Sequence, residues 1–259
     1  MPIIAVISDI HVGHPAAVWP KSFKTAHDNI ILPSKAQLVM LEYWNDFFSL
    51  PDAKAADYIL NLDESIEGYN KKEHGRDIMT TNLNEQINAF NQLLLPHISG
   101  KKYVCVDGSG YHGSEDTSVA EAICKGFKGE YFGQMVNWEV KGTNRIIHAT
   151  HKASGAMLYK ATALDRRSLY MSAAKSKIGI DPDIMISGHI HQYFRVDTMT
   201  RINISCPCWK FWAPIKTAES YPFSQPSVGG VILKVSKKFV EADRCLYPLE
   251  HIYDALVKM

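Results

Sequence analysis

Short apolar runs rich in β-branched residues recur along the chain, at Ile3–Ile7, Tyr58–Leu62, Tyr103–Val106, Arg145–Ala149, Ile184–Ile186, Ile202–Ser205 and Val231–Val235. Each gives way to polar residues or glycine, the pattern of strands buried on both faces. Between them the period changes. Lys35–Phe48 sets Leu38, Leu41, Trp44 and Phe48 at three- and four-residue spacings, and Thr80–Leu95 does the same with Leu83, Ile87, Phe90 and Leu94. Ser118–Phe127 and Leu158–Ile178 continue the alternation of strand and helix, which predicts an α/β sheet.

The chain has 259 residues, 46% hydrophobic and 21% charged, enough to bury a sizeable core. No low-complexity tract, Gly/Ser linker or repeat divides it, so residues 1–259 are expected to form a single domain. Pro207–Pro226, aromatic and proline-rich, reads as a long loop. A formal net charge of +1 excludes a polybasic protein held to nucleic acid by bulk charge, while leaving room for a local basic groove. The apolar opening lacks a basic flank and runs directly into Asp9 and His11, so it reads as a first strand rather than a secretion signal. No apolar run approaches the roughly 20 residues that span a bilayer. The odd count of five cysteines shows no disulfide-scaffold spacing. Together these predict a cytoplasmic protein with no membrane partner.

The chemistry-bearing residues fall just after the predicted strands. Asp9 and His11 follow the first, in Ser8-Asp9-Ile10-His11; Asp63, Glu64 and Glu67 follow the second; His112 follows the third, in Asp107-Gly108-Ser109-Gly110-Tyr111-His112. His148 and His151 end the fourth, and Gly188-His189-Ile190-His191 ends the fifth. Ligands of open α/β sheets bind beyond the carboxyl ends of the strands. A rim of imidazoles and carboxylates suits Zn, Mn or Fe, and two such ions need a shared carboxylate plus several terminal ligands. Residues two apart on an extended segment face the same side, so Asp-x-His and His-x-His can converge on one cluster. Gly-His-x-His is expected by chance only roughly 0.03 times in a chain with 16 Gly and 11 His.

The ordered set resembles the calcineurin-like metallophosphoesterase superfamily, whose blocks run Asp-x-His, Gly-Asp-x-x-Asp, Gly-Asn-His-Asp/Glu, a lone His and Gly-His-x-His. The resemblance extends from Asp9 to His191. A third block similar to Gly-Thr-x-x-His, and Cys206-Pro207-Cys208-Trp209 after the last histidines, resemble a phage and prophage branch. The resemblance implies a four-layer α-β-β-α sandwich of the metallophosphoesterase type. It also implies two divalent metal ions, Mn, Fe or Zn. One would be held by Asp9, His11 and His191, the other by His151 and His189. Glu64 takes the bridging aspartate's place by spacing; a register one residue earlier would make Asp63 the bridge. Tyr111 stands where the family has its Asn ligand, so Asp107, Ser109 or water would have to substitute at the second ion.

The activity implied is hydrolysis of a phosphodiester in a nucleotide or nucleic acid through a metal-activated hydroxide, with His112 protonating the leaving group. Lys152 and Arg166 are candidate phosphate contacts by proximity, although the Arg166-Arg167 pair also fits a solvated helix face. Trp209, with Phe211 and Trp212, would form a wall for a flat leaving group or else pack in the core. His148 lies within its strand and reads as a core histidine, rival to His151 as ligand. Cys206 and Cys208 read as buried free thiols rather than a structural zinc site. The alternatives are a phosphomonoesterase, or a degenerate scaffold of this type that binds a partner.

Overall fold

The computed structural model describes residues 1–70, 75–112, 118–152, 160–211 and 225–257. One sheet has six strands in the order β13 (Val240–Tyr247), β12 (Val228–Val235), β1 (Ile3–Ile7), β4 (Tyr58–Asn61), β5 (Lys102–Cys105) and β6 (Glu130–Tyr131). From β1 to β6 neighbouring strands are parallel, whereas β12 and β13 run antiparallel. The other sheet has five strands, β10 (Phe194–Asp197), β11 (Ile202–Ser205), β9 (Ile184–Ser187), β8 (Arg145–Thr150) and β7 (Met135–Val140), with β11, β9 and β8 parallel. A small hairpin pairs β2 (Phe23–Lys24) with β3 (Ile30–Ile31).

Alternation along β1 shows how the layers form. Ile4 and Val6 join Leu60, Val104, Ile147, Ile184 and Ile204 in a core between the two sheets. Ala5 and Ile7 point the other way, into a core roofed by α1 (Lys35–Ser49), α3 (Leu83–Leu94), α4 (Val119–Gly126) and α6 (Glu250–Val257). A two-residue period that is apolar on both faces requires cover on both faces. Helix α1 supplies Met40, Trp44 and Phe47, and starts at a capping box in which Ser34 and Gln37 satisfy each other's backbone amides. The single turn α2 (Pro51–Lys54) leads into β4, and α5 (Lys160–Ile178) lies on β10 and β11. The layers run helix, sheet, sheet, helix, as predicted.

The expected strands all form. The expected helices form within a few residues of their predicted ends; the predicted start of Leu158–Ile178 and most of the loop Pro207–Pro226 lie outside the described residues. The unpredicted strands β7, β10 and β13 share a reason: each is a sheet edge with one exposed face, so its sequence carries no continuous apolar run. Among the described residues no helix is long and apolar enough to cross a membrane.

Candidate metal centre

The parallel strands of both sheets end on the same rim, and the backbone stitches the loops beyond them together. Asp9 N–H donates to the Asp63 carbonyl at 2.9 Å and His11 N–H to the Glu64 carbonyl at 2.8 Å. Across the sandwich, His189 N–H donates to both Asp9 carboxylate oxygens, at 2.9 and 3.1 Å, and His151 Nδ1–H donates to the Leu62 carbonyl at 3.0 Å. The convergence of Asp9 with His11 and of His189 with His191 does not come from extended backbone. The strands stop at Ile7 and Ser187, and Asp9, His11, Glu64, His189 and His191 all have left-handed φ values, between 52° and 76°. Such values are uncommon outside glycine and gather at functional sites.

Two clusters that share Glu64 result, beside a third group of His11, Glu67 and His112. Asp9, His11, Glu64 and His191 offer donors within 4.8 Å of one another, and so do Glu64, His151 and His189. Glu64 belongs to both. Its Oε2 lies 3.2 Å from His11 Nε2, and its Oε1 lies 3.2 Å from His151 Nε2. In the first cluster His191 Nε2 is 3.2 Å from both His11 Nε2 and Asp9 Oδ1; in the second His151 Nε2 is 3.2 Å from His189 Nδ1. Ligands about 2.1 Å from a common ion stand roughly 3.0–3.4 Å apart on an octahedron or tetrahedron, so these spacings suit a transition metal.

Asp63 is in neither cluster. Its Oδ1 accepts from the amide and hydroxyl of its neighbour Ser65, and its Oδ2 from Gly108 N–H at 3.0 Å, which turns the carboxylate away from both clusters. Gly108 is required for the approach of that loop: a Cβ there would sit 2.8 Å from Glu64 Cγ. The next residue, Ser109, donates both its amide and its hydroxyl to Glu64 Oε1. Asp107 is occupied elsewhere, accepting from Ser118 and Tyr131 hydroxyls at 2.6 Å, and Tyr111 is 66% exposed. Among the described residues the second cluster therefore has three donors to the first cluster's four.

Electrostatics match the donor set. Burial raises the Asp9 and Glu64 carboxyls, but histidines outweigh it and hold both below the usual carboxylate range. Burial lowers His151 and His191, yet for His151 the carboxylates of Asp9 and Glu64, and for His191 Cys208 and Asp9, prevail and lift them to about 9 and about 10. The clusters thus demand positive charge, which protons or metal ions can supply. His11 behaves differently: burial and the Lys210 ammonium bring it down to about 4. Its Nδ1–H donates to Glu67 Oε2 at 2.8 Å, which leaves Nε2 as the lone-pair donor toward the cluster. Glu67 Oε2 also accepts from Lys210 Nζ at 3.1 Å, and the Glu67 carbonyl accepts from His112 Nδ1–H at 2.8 Å. His112 Nε2 stands 3.5 Å from Glu64 Oε2, with the side chain 21% exposed at the rim.

The structure places the expected substrate contacts in different surroundings. Trp209 is fully buried, edge-on to Trp44 and Phe47 with ring centroids 4.9 and 5.7 Å away, and Phe211 is buried in the same core. It is core rather than wall, and its amide braces the site by donating to the Asp9 carbonyl at 3.0 Å. Trp212 lies outside the described residues. Arg166 is exposed on α5 and joins neither cluster; its neighbour Arg167 turns inward instead and donates to His148 Nε2 at 2.6 Å. His148 also holds Asn137 at 2.7 Å, a satisfied histidine outside both clusters. Lys152, next in sequence to His151, is exposed; burial and then His151 lower His189, with a smaller contribution from Lys152. Cys206 and Cys208 are buried free thiols. Sequence reasoning missed the work of Glu67 and Lys210. Glu67 sits three residues after Glu64 and was open to discovery; Lys210 comes from a distant loop with no local signal.

No family model matches this sequence, and no curated protein does. Solved structures are similar to it. An archaeal phosphodiesterase has 14% identity and a TM-score of 0.47, covering 94% of this chain and 99% of its own. Vps29 from Entamoeba histolytica, in complex with zinc, has 11% identity and a TM-score of 0.45 over 95% and 99%. A predicted phosphoesterase from Streptococcus pneumoniae has 11% identity and a TM-score of 0.41 over 95% and 93%. Likeness this distant leaves function to the chemistry of the site.

Proposed function

We propose that the chain is a metal-dependent phosphoesterase of the calcineurin-like metallophosphoesterase type, acting on a phosphodiester in a nucleotide or nucleic acid. The carrying observation is one buried carboxylate, Glu64, set between two histidine clusters with an oxygen toward each. Two divalent ions held there would lower the pKa of a shared water and neutralise charge on phosphoryl oxygens. Asp9, His11 and His191 would hold one ion, His151 and His189 the other. Glu67 keeps His11 in the tautomer that presents Nε2. The carbonyl of Glu67 can only accept, so His112 carries a proton on Nδ1 and keeps Nε2 at the rim to deliver one to the leaving oxygen. Lys152, exposed and next in sequence to His151, would meet a phosphoryl oxygen.

A second reading has its own support: with Tyr111 exposed and three donors in the second cluster, a scaffold that binds one ion and a partner also fits. One experiment separates them. Protein purified without chelator is analysed for metal, then assayed with Mn²⁺ on an aryl phosphodiester and an aryl phosphomonoester. The phosphoesterase reading expects two ions at saturation and diester turnover that Glu64→Gln reduces at least about 100-fold. Faster monoester turnover overturns the diester assignment, and a single ion with no turnover favours the scaffold.

A further inference from the structure

Glu67 and Lys210 form an ion pair against the back of His11, with the carboxylate buried and the lysine side chain 17% exposed. Buried ion pairs are poor stabilisers, because desolvation offsets the attraction, so the pair calls for another explanation. An ammonium has three donors. Glu67 Oε2 takes one, at 3.1 Å, and among the described residues no other hydrogen-bond acceptor for Lys210 Nζ is found. Glu67 also gathers His112, through its carbonyl, so the two partly exposed side chains on this residue stand together at the rim of the first cluster.

Charge balance explains why a lysine is needed here. Two divalent ions would leave the centre net positive over the carboxylates of Asp9 and Glu64 and so attract an anion. Glu67, whose carboxylate bonds both His11 and Lys210, would repel that anion if it stood alone. Lys210 cancels that charge and still has N–H groups to donate. We propose that Lys210 is a substrate-binding residue whose ammonium, anchored by Glu67 beside His11 and His112, donates to a phosphoryl oxygen. This rests on the metal-centre reading of the same site and adds the anion's second contact to it. The probe is inorganic phosphate, titrated calorimetrically into full-length protein saturated with Mn²⁺.

Lys210→Met keeps the apolar stem and is expected to weaken phosphate at least about tenfold at unchanged metal content, the loss of one charge-assisted hydrogen bond. Lys210→Arg is expected to recover most of that loss, which a packing role would not do. Should Lys210→Met fail to fold with Glu67 left unpaired, the double variant Glu67→Gln with Lys210→Met removes both charges and is expected to show the same weakening. Equal phosphate affinity in wild type and the charge-free variants overturns the proposal, as does Lys210→Arg behaving like Lys210→Met, or loss of an ion on removing Lys210. Wild-type protein that holds no Mn²⁺ overturns the metal centre itself, a result visible before any variant is compared.

Discussion

Gly188, the first residue of Gly-His-x-His, packs so closely on the end of β1 that alanine has no room. A Cβ there would lie 2.0 Å from Ser8 Oγ, 2.5 Å from Asp9 Oδ2 and 3.3 Å from Ser8 Cβ, where ordinary contact begins at 3.4 Å. Its φ is not left-handed, so alanine would be acceptable on conformational grounds and the obstacle is steric alone. Neither side can easily retreat. Ser8 is fully buried and donates to Asp9, Gly188 N–H donates to the His151 carbonyl at 2.9 Å, and the next amide holds the Asp9 carboxylate. Relief means pushing the loop out, at the usual cost of overpacking, or rotating Ser8 and losing its bond to a charged acceptor. Gly188→Ala is therefore expected to cost about 2–4 kcal/mol.

The measurement is urea unfolding of Gly188→Ala, Ser8→Ala and the double variant, with Mn²⁺ affinity alongside. Ser8→Ala removes the 2.0 Å contact but leaves the one to Asp9, so the double variant should be less damaged than the sum of the singles by about 1 kcal/mol or more. Because Asp9 is displaced in Gly188→Ala, ion affinity should fall roughly tenfold or more. Additive stabilities, or a Gly188→Ala protein as stable and as metal-avid as wild type, would refute the contact between this turn and β1.

Trp209→Ala should destabilise the fold by about 3–5 kcal/mol in the same assay, while Trp209→Phe should leave substrate KM unchanged, since the indole is core rather than wall. His148 is lowered to about 4 by burial and by Arg167. Between pH 6.5 and about 4 the unfolded chain binds a proton that the folded one refuses, so stability falls as pH drops through that window, by roughly 3 kcal/mol in all. Unfolding curves of His148→Gln should lose this acid-side slope; a slope equal to that of wild type would reject it. Metal-free His151 and His191, at about 9 and about 10, carry protons at pH 7 that a metal must displace. Ion affinity should therefore rise with pH, up to about tenfold per unit for each proton expelled, with proton release detected by calorimetry in buffers of different ionisation enthalpy. The four-donor cluster should fill before the three-donor one, giving two resolved binding steps.

What the sequence made legible follows from burial. Strands covered on both faces, such as β1, β4 and β9, announce themselves as apolar runs; the edge strands β7, β10 and β13 do not, because half of each faces water. At the site, block order and spacing pointed to Asp9, His11, His151, His189 and His191, which gather with Glu64 into the two clusters. The choice between Glu64 and Asp63 was tilted toward Glu64 by spacing but not closed by it. It turns on Ser65 and Gly108 capturing the Asp63 carboxylate, contacts that exist only once β4 and β5 lie side by side. Trp209 and Lys210 pose the same problem in a sharper form. Adjacent in sequence, one is sealed beneath α1 and the other reaches Glu67, and local composition cannot say which face of that segment is inward.

The left-handed residues connect the fold to the chemistry. Each costs of order 1–3 kcal/mol against relaxed backbone, and such conformations persist only where the surroundings over-determine them. Here they are over-determined by polypeptide alone. Asp9 is fixed through its amide to Asp63, through its carbonyl to Trp209, and through its carboxylate to Ser8 and His189. His11 is fixed through its amide to Glu64 and through its ring to Glu67. Each of these bonds is made between groups of the chain itself, and together they hold the backbone that presents the candidate ligands. The strain is consequently carried by the hydrogen-bonded loops of both sheets.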